Sequence, residues 1–317
     1  MEHIQFTEQP TLRRPVLLLA MAGWNDAAEV ATTAVQFLIQ RWDAKKFAEL
    51  DPEEFYNFAR VRPHVRIEPD FSRAITWPQN TFYYHVDPLL DRDFVLLLGI
   101  EPNLKWRTFC QEILGVCQGV EVTSALSLGG LVADVPHTRN ARITAFSSDP
   151  DLVGRFPQLG VRRSRYEGPT GIVGVLSDAF AKSDIPVGSM WGNVPHYISA
   201  SPNPKVVHAL LARLSELYGL GLELSEMERA GRRFERQVNE ALIHNHEVAD
   251  YVKRLEERIE DPEPGTSEVE TEPDTGGSEE LPRGEDIVRQ LEEFLRERSG
   301  SQDDAPPDDP SDEPTRN

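Results

Sequence analysis

Apolar residues recur along this chain with two periods. Val16–Ala22 is an unbroken apolar run between Pro15 and Gly23. Such a run suits a strand buried on both faces of a parallel sheet. Beyond it, Val30, Ala34, Val35 and Leu38 recur at helical spacing, and Asp26 stands where an N-cap belongs. Residues 93–99 read as a second buried strand, with Asn103 placed to cap a helix reaching about Cys117. Residues 120–126, 142–146 and 185–191 read as further strands, and 171–182 and 204–218 as helices. Two short β-rich runs, 74–77 and 81–86, flank Pro78-Gln79-Asn80 and predict a hairpin, an antiparallel excursion from the parallel core. Residues 55–61 alternate only loosely. The alternation of strands and helices predicts a three-layer α/β/α sandwich with a mixed sheet over residues 1–220.

The pattern then changes. Residues 224–259 contain no proline and are rich in Glu and Arg. Met227, Phe234, Val238, Leu242, Val252, Leu255 and Ile259 predict a long helical hairpin or a single arm over 221–260, packed on its own domain or on an oligomer partner. Residues 261–280 carry almost no apolar side chains, so 261–317 reads as a disordered acidic tail. Within it Ile287, Leu291, Phe294 and Leu295 predict a short amphipathic helix at 283–298, suited to a groove on its own domain or on a partner.

Charge sharpens this division. The net charge is −20, and residues 261–317 hold nineteen acidic and five basic side chains. The rest of the chain is only mildly acidic. No basic footprint for nucleic acid is present, and the acidic tail disfavours anionic lipid. The apolar run at 16–22 is too short to span a membrane, and the first residues lack a secretory pattern. Cys110 and Cys117 fall two helical turns apart, about 10.5 Å, too far for a disulfide. Both are expected as small core residues of a cytoplasmic protein, with no metal and no cofactor.

The candidate chemistry lies in loops. Gly23-Trp24-Asn25-Asp26 joins a buried strand to a helix, where α/β proteins meet their ligands. It lacks the glycine spacing of a dinucleotide fingerprint and the lysine of a P-loop. It can bind an anion or polar partner, or it is a tight turn in which Gly23 relieves sterics, Trp24 packs and Asp26 caps. Glu101 follows another buried strand, so Asp26 and Glu101 share a sheet edge if those strands are neighbours. Gly129-Gly130 allows close backbone approach or an unusual turn. His137, in the polar stretch 134–139 with Thr138, can act as a general base or simply bond to backbone. Ser127 lacks the Gly-x-Ser-x-Gly setting of a nucleophile. Thr170 or Gly171 can cap the next helix, whose first N–H groups could meet an anion. His244 and His246 are two apart and face different sides of a helix, poorly placed as a metal pair.

In order, Gly23-Trp24-Asn25-Asp26-Ala27, Gly99-Ile100-Glu101-Pro102, Ser127-Leu128-Gly129-Gly130, Asp134-Val135-Pro136-His137-Thr138-Arg139 and Glu167-Gly168-Pro169-Thr170-Gly171 form a series. Across residues 10–255 it resembles the proteasome assembly chaperone 2 family, in its bacterial, actinobacterial-type branch. The resemblance implies a phosphorylase/hydrolase-like α/β/α fold, homo-oligomers such as trimers, and protein partners, since relatives bind proteasome α-subunits. Some relatives dock through a hydrophobic–Tyr–any residue tail. The present terminus, Pro314-Thr315-Arg316-Asn317, departs from that pattern. The family supplies no catalytic residues. The expectation is therefore a non-catalytic binding or assembly protein. Its candidate site comprises Gly23, Trp24, Asn25, Asp26, Glu101, Gly129, Gly130, His137, Thr138 and Gly171. The alternative is an enzyme or small-ligand binder on a nucleoside-phosphorylase-like scaffold that uses the cleft at the sheet's carboxyl edge.

Overall fold

The computed structural model describes residues 2–198, 200–242 and 246–260. β1 (Ile4–Phe6) is a short edge strand, and β2 (Val16–Ala22) is buried until its last residue. A single 3-10 turn, Ala27–Glu29, leads into α1 (Val30–Arg41). There follow β3 (Lys45–Leu50), β4 (His64–Ile67), β5 (Arg73–Thr76), β6 (Asn80–His85) and β7 (Phe94–Ile100). Next come α2 (Trp106–Gly119), β8 (Ser124–Ala133), β9 (Ile143–Ser147), α3 (Pro150–Arg155), β10 (Arg162–Arg163) and α4 (Ile172–Lys182). The described chain closes with β11 (Val187–Pro195), α5 (Pro204–Tyr218), α6 (Ser225–Leu242) and α7 (His246–Glu260). The acidic tail and the helix expected at 283–298 lie outside the described residues.

Nine strands form one sheet in the order β1-β3-β6-β7-β2-β8-β11-β9-β10. Its centre, β7-β2-β8-β11, is parallel; β6, β3 and β1 on one side run antiparallel to their neighbours, and on the other β9 runs antiparallel to β11 while β10 runs parallel to β9. The two-residue period of a strand divides each buried run between two cores. Val16, Leu18 and Ala20 face the layer with Val30, Ala34, Leu38, Val207 and Leu210. Leu17, Leu19 and Met21 face the layer with Phe109, Ile113, Leu176 and Phe180. Each fully buried Leu or Phe here adds about 1.5–3 kcal/mol. The architecture is thus the expected three-layer α/β/α sandwich. A third cluster joins Phe234, Val238 and Leu242 of α6 to Val248, Val252 and Leu255 of α7, against Tyr197 and Ile198.

Two expectations need correction, one alternative is decided, and three strands lie outside the sequence pattern. Residues 74–77 and 81–86 are both extended, but they do not pair with each other. β5 pairs with β4 in a separate two-stranded sheet, while β6 lies between β3 and β7. Burial decides this, because Thr81 and Phe82 enter the core whereas Ile75 stays exposed. Gly129-Gly130 is not a turn but lies inside β8. A Cβ on Gly129 would sit 2.2 Å from the Trp191 ring, and one on Gly130 would sit 2.6 Å from the Ala27 carbonyl. Close approach, not turning, requires both glycines. Asn103 does not cap α2, since its Oδ1 accepts from the Asn57 N–H at 2.9 Å. α2 begins instead after Lys105, which has φ 53°. Finally, β1, β3 and β4 escape the periodicity, because β1 and β4 are largely exposed and β3 opens on two lysines.

Candidate functional site

β2 and β7 are neighbours in register, so the segments after Ala22 and Ile100 emerge together. Gly23 takes φ +120°, and a Cβ there would lie 3.2 Å from Glu101 Cβ. Only glycine reaches this conformation without strain. The Glu101 N–H donates to the Ala22 carbonyl at 2.8 Å. Its Oε1 accepts from the Asn25 side-chain amide at 3.0 Å and from the Ile172 N–H, at the start of α4, at 2.8 Å. Gly171 occupies the N-cap position of α4 without a side chain of its own. A Cβ on it would meet Asn25 at 2.4 Å and Glu101 Oε1 at 2.7 Å. Glu101 is therefore a long-range cap. It places a carboxylate where the helix dipole and free N–H groups favour negative charge. The anion position anticipated at Gly171 holds the chain's own anion.

Asp26 serves α1 in the same way. Its Oδ1 accepts from the Ala31 N–H at 2.7 Å, and its Oδ2 accepts from the Thr32 hydroxyl. Burial raises its pKa, while the hydrogen bonds from Thr32 and Ala31 oppose that rise. The Asn25 carbonyl accepts from the Gly130 N–H at 2.9 Å, which fastens the loop to β8. Between loop and helix, Ala28 and Glu29 both have φ 50°, an unusual strained pair for residues with side chains. Asp26 and Glu101 thus reach one sheet edge, as the sequence allowed, but each is committed to a different helix. Trp24 does not pack, being 62% exposed.

A supporting group with no local signal in the sequence lies behind Glu101. The Ile100 N–H donates to Asn80 Oδ1 at 3.0 Å, and the Tyr56 hydroxyl donates to the Ile100 carbonyl at 2.5 Å. Asn80 Nδ2 donates in turn to Tyr56 Oη at 2.6 Å. These buried polar groups fix the residue just before Glu101. Asn80 was masked by its resemblance to a turn residue.

His137 and Thr138 belong to another cluster. The His137 ring is buried between Tyr197 and Asn239. Asn239 Oδ1 can only accept, so the neutral ring keeps its proton on Nε2, which donates to it at 3.0 Å. Nδ1 accepts from the Tyr197 hydroxyl at 2.8 Å, whose oxygen also accepts from the His137 N–H at 2.8 Å. Burial lowers the His137 pKa, so the ring is neutral at pH 7. Lys205 Nζ donates to the His137 carbonyl and pairs with Glu235 at 2.7 Å. The Thr138 hydroxyl bonds Glu256 of α7. The cluster clasps the segment after β8 to α6 and α7. The neighbouring cavity, lined in part by His137, Asn193, Asn203 and Lys205, has about 20 Å³ of free volume, room for one water. Ser127 is buried inside β8, where its hydroxyl faces the Gly188 carbonyl at 3.4 Å.

Among the described residues, no group of three or more His, Cys, Asp or Glu is placed to hold a metal ion. No described helix is long and apolar enough to cross a membrane. Cys110 and Cys117 are free thiols in one core, and burial pushes both pKa values up to about 12.

Fold and site together define a three-layer α/β/α protein whose strand-end loops are held by their own carboxylates. The PAC2 family pattern matches residues 20–242, and the chain belongs to that family. A PAC2 family protein from Streptomyces avermitilis is 40% identical, with a TM-score of 0.69 over 75% of this chain and 99% of that one. A proteasome-assembly chaperone homologue from Mycobacterium tuberculosis is 38% identical, with a TM-score of 0.68 over 75% of this chain and 99% of that one. Pyrococcus furiosus PbaB, an archaeal proteasome activator, shares the fold at 20% identity, with a TM-score of 0.62 over 76% of this chain and 99% of that one. No functionally curated protein matches.

Proposed function

We propose that this chain is a protein-binding member of the PAC2 family that engages proteasome subunits through the carboxyl edge of its sheet. One observation carries the reading. In the Gly23–Asp26 loop, Asn25 and Asp26 are buried and spent on internal bonds, while Trp24 projects into solvent. A rigidly held, exposed tryptophan is a common anchor of protein interfaces. The strand order sets the ends of β7, β2 and β8 side by side, and Leu104 and Val132 add exposed apolar groups after β7 and near the end of β8. The Mycobacterium relative is described as a proteasome-assembly chaperone homologue, and the Pyrococcus protein as a proteasome activator. Both descriptions favour a proteasome subunit as the partner.

Self-association into a homo-oligomer is part of the same reading, supported by the exposed Phe6, Val86 and Leu89. So is a cytoplasmic setting, which suits two free thiols. The test uses the purified full chain and purified α- and β-subunits of the host's proteasome in a direct binding assay. Saturable binding of at least one subunit is the expected result. Binding of none, at concentrations up to about 100 μM, overturns the reading.

A further inference from the structure

The β4–β5 ribbon stands outside the nine-stranded sheet. Its register sets Val65 opposite Ile75 and Ile67 opposite Arg73, so these four share one face. On that face Val65, Ile67 and Ile75 are 61%, 67% and 57% exposed, and Phe71 in the turn is 89% exposed. A two-stranded ribbon with a bare apolar face is marginal in water and gains stability from a covering element. The described residues do not supply one.

Charge points to the occupant. Residues 60–77 carry Arg60, Arg62, Arg66 and Arg73 against Glu68 and Asp70, a basic island in a chain of net charge −20. The ribbon of a second copy would set arginine against arginine. Residues 261–317 bring the opposite sign, with nineteen acidic side chains. Within them Ile287, Leu291, Phe294 and Leu295 recur at i, i+4, i+7 and i+8. We propose that residues 283–298 dock their apolar positions on the Val65–Ile67–Ile75 face of the same chain, with the acidic flanks facing the arginines.

The tether is long enough. The residues between 260 and 283 reach about 75 Å when extended. A compact body of this size has a radius of gyration of about 18 Å. A tethered segment also acts at millimolar effective concentration, which favours the same chain over a second one.

Hydrogen exchange on the full chain tests this, comparing wild type with a variant carrying I287S, L291S, F294S and L295S. The variant should exchange the ribbon amides, residues 64–67 and 73–76, at least tenfold faster. The wild-type ribbon protection should not depend on protein concentration. Unchanged ribbon exchange in the variant overturns the proposal. So does wild-type protection that rises with concentration, which would assign the face to a second copy. A second full-chain variant, V65S with I75S, should speed exchange in 283–298, and unchanged exchange there also contradicts the docking. Should the ribbon variant not fold, the tail variant still decides, because it alters no residue of the body.

Discussion

Glu101 gives α4 the negative charge that a bound anion would otherwise supply. Two helices of this protein begin on borrowed carboxylates, α1 on Asp26 and α4 on Glu101. Truncating Glu101→Ala orphans the Ile172 N–H and the Asn25 amide, and is expected to cost about 1–3 kcal/mol. Gly171→Ala, which drives a methyl into Asn25 and Glu101, is expected to cost about 1–3 kcal/mol by overpacking. Gly154→Ala, in α3 with open space around it, is expected to gain about 0.5–1 kcal/mol instead. Urea denaturation midpoints of the three variants check these signs. His137 adds a pH dependence. Its pKa is lowered by burial, as are those of His85 and His208. A base depressed in the fold contributes stability above its unfolded pKa of about 6.5, and that contribution is lost as pH falls through the folded value. Stability should therefore drop between pH 7 and pH 5, and His137→Leu should drop less over that interval while starting lower at pH 7. An equal pH slope in both proteins contradicts the assignment. Asp26, with a raised pKa, has the opposite sign, favouring the fold as pH falls.

At the scale of elements, burial was legible and pairing was not. The run at 16–22 and the helical periods at 30–38, 172–180 and 204–218 mark elements whose apolar faces enter the cores. The β4–β5 ribbon shows why pairing escapes such reading. Its strands are short and largely exposed, and nothing in their sequence says which run lies beside which. The same limit hid Glu101, since a cap supplied from seventy-one residues away leaves no local signature. Only the strand order brings it to α4. The loops at 23–26, 101 and 171 do converge as expected of a sheet edge, while His137 departs to the α6–α7 clasp because its stretch runs on past the end of β8. The clasp has its own core, which predicts local behaviour. Leu255→Ala should speed hydrogen exchange across 246–260 by about tenfold or more while leaving β2 and β7 unaffected, because Leu255 is packed in the third cluster. Uniform loosening of the sheet contradicts that separation.

For the whole molecule, the carboxyl edge of the sheet is tied together by its own hydrogen bonds. Every candidate polar group at that edge already has an internal partner, and what remains on offer to another molecule is Trp24 with its apolar neighbours. The proposed class of partner is the proteasome subunit. The decisive measurement is the ratio of dissociation constants, for one purified proteasome subunit, of the Trp24→Ala variant and the wild-type chain. Trp24 is mostly exposed, so its removal should leave the melting temperature within about 1 °C, given an effect of a few tenths of a kcal/mol on stability. An interface anchor loses about 2 kcal/mol or more on truncation, so binding should weaken by roughly thirtyfold. A ratio near one, with the subunit still bound by both proteins, would place the interface elsewhere and contradict the account.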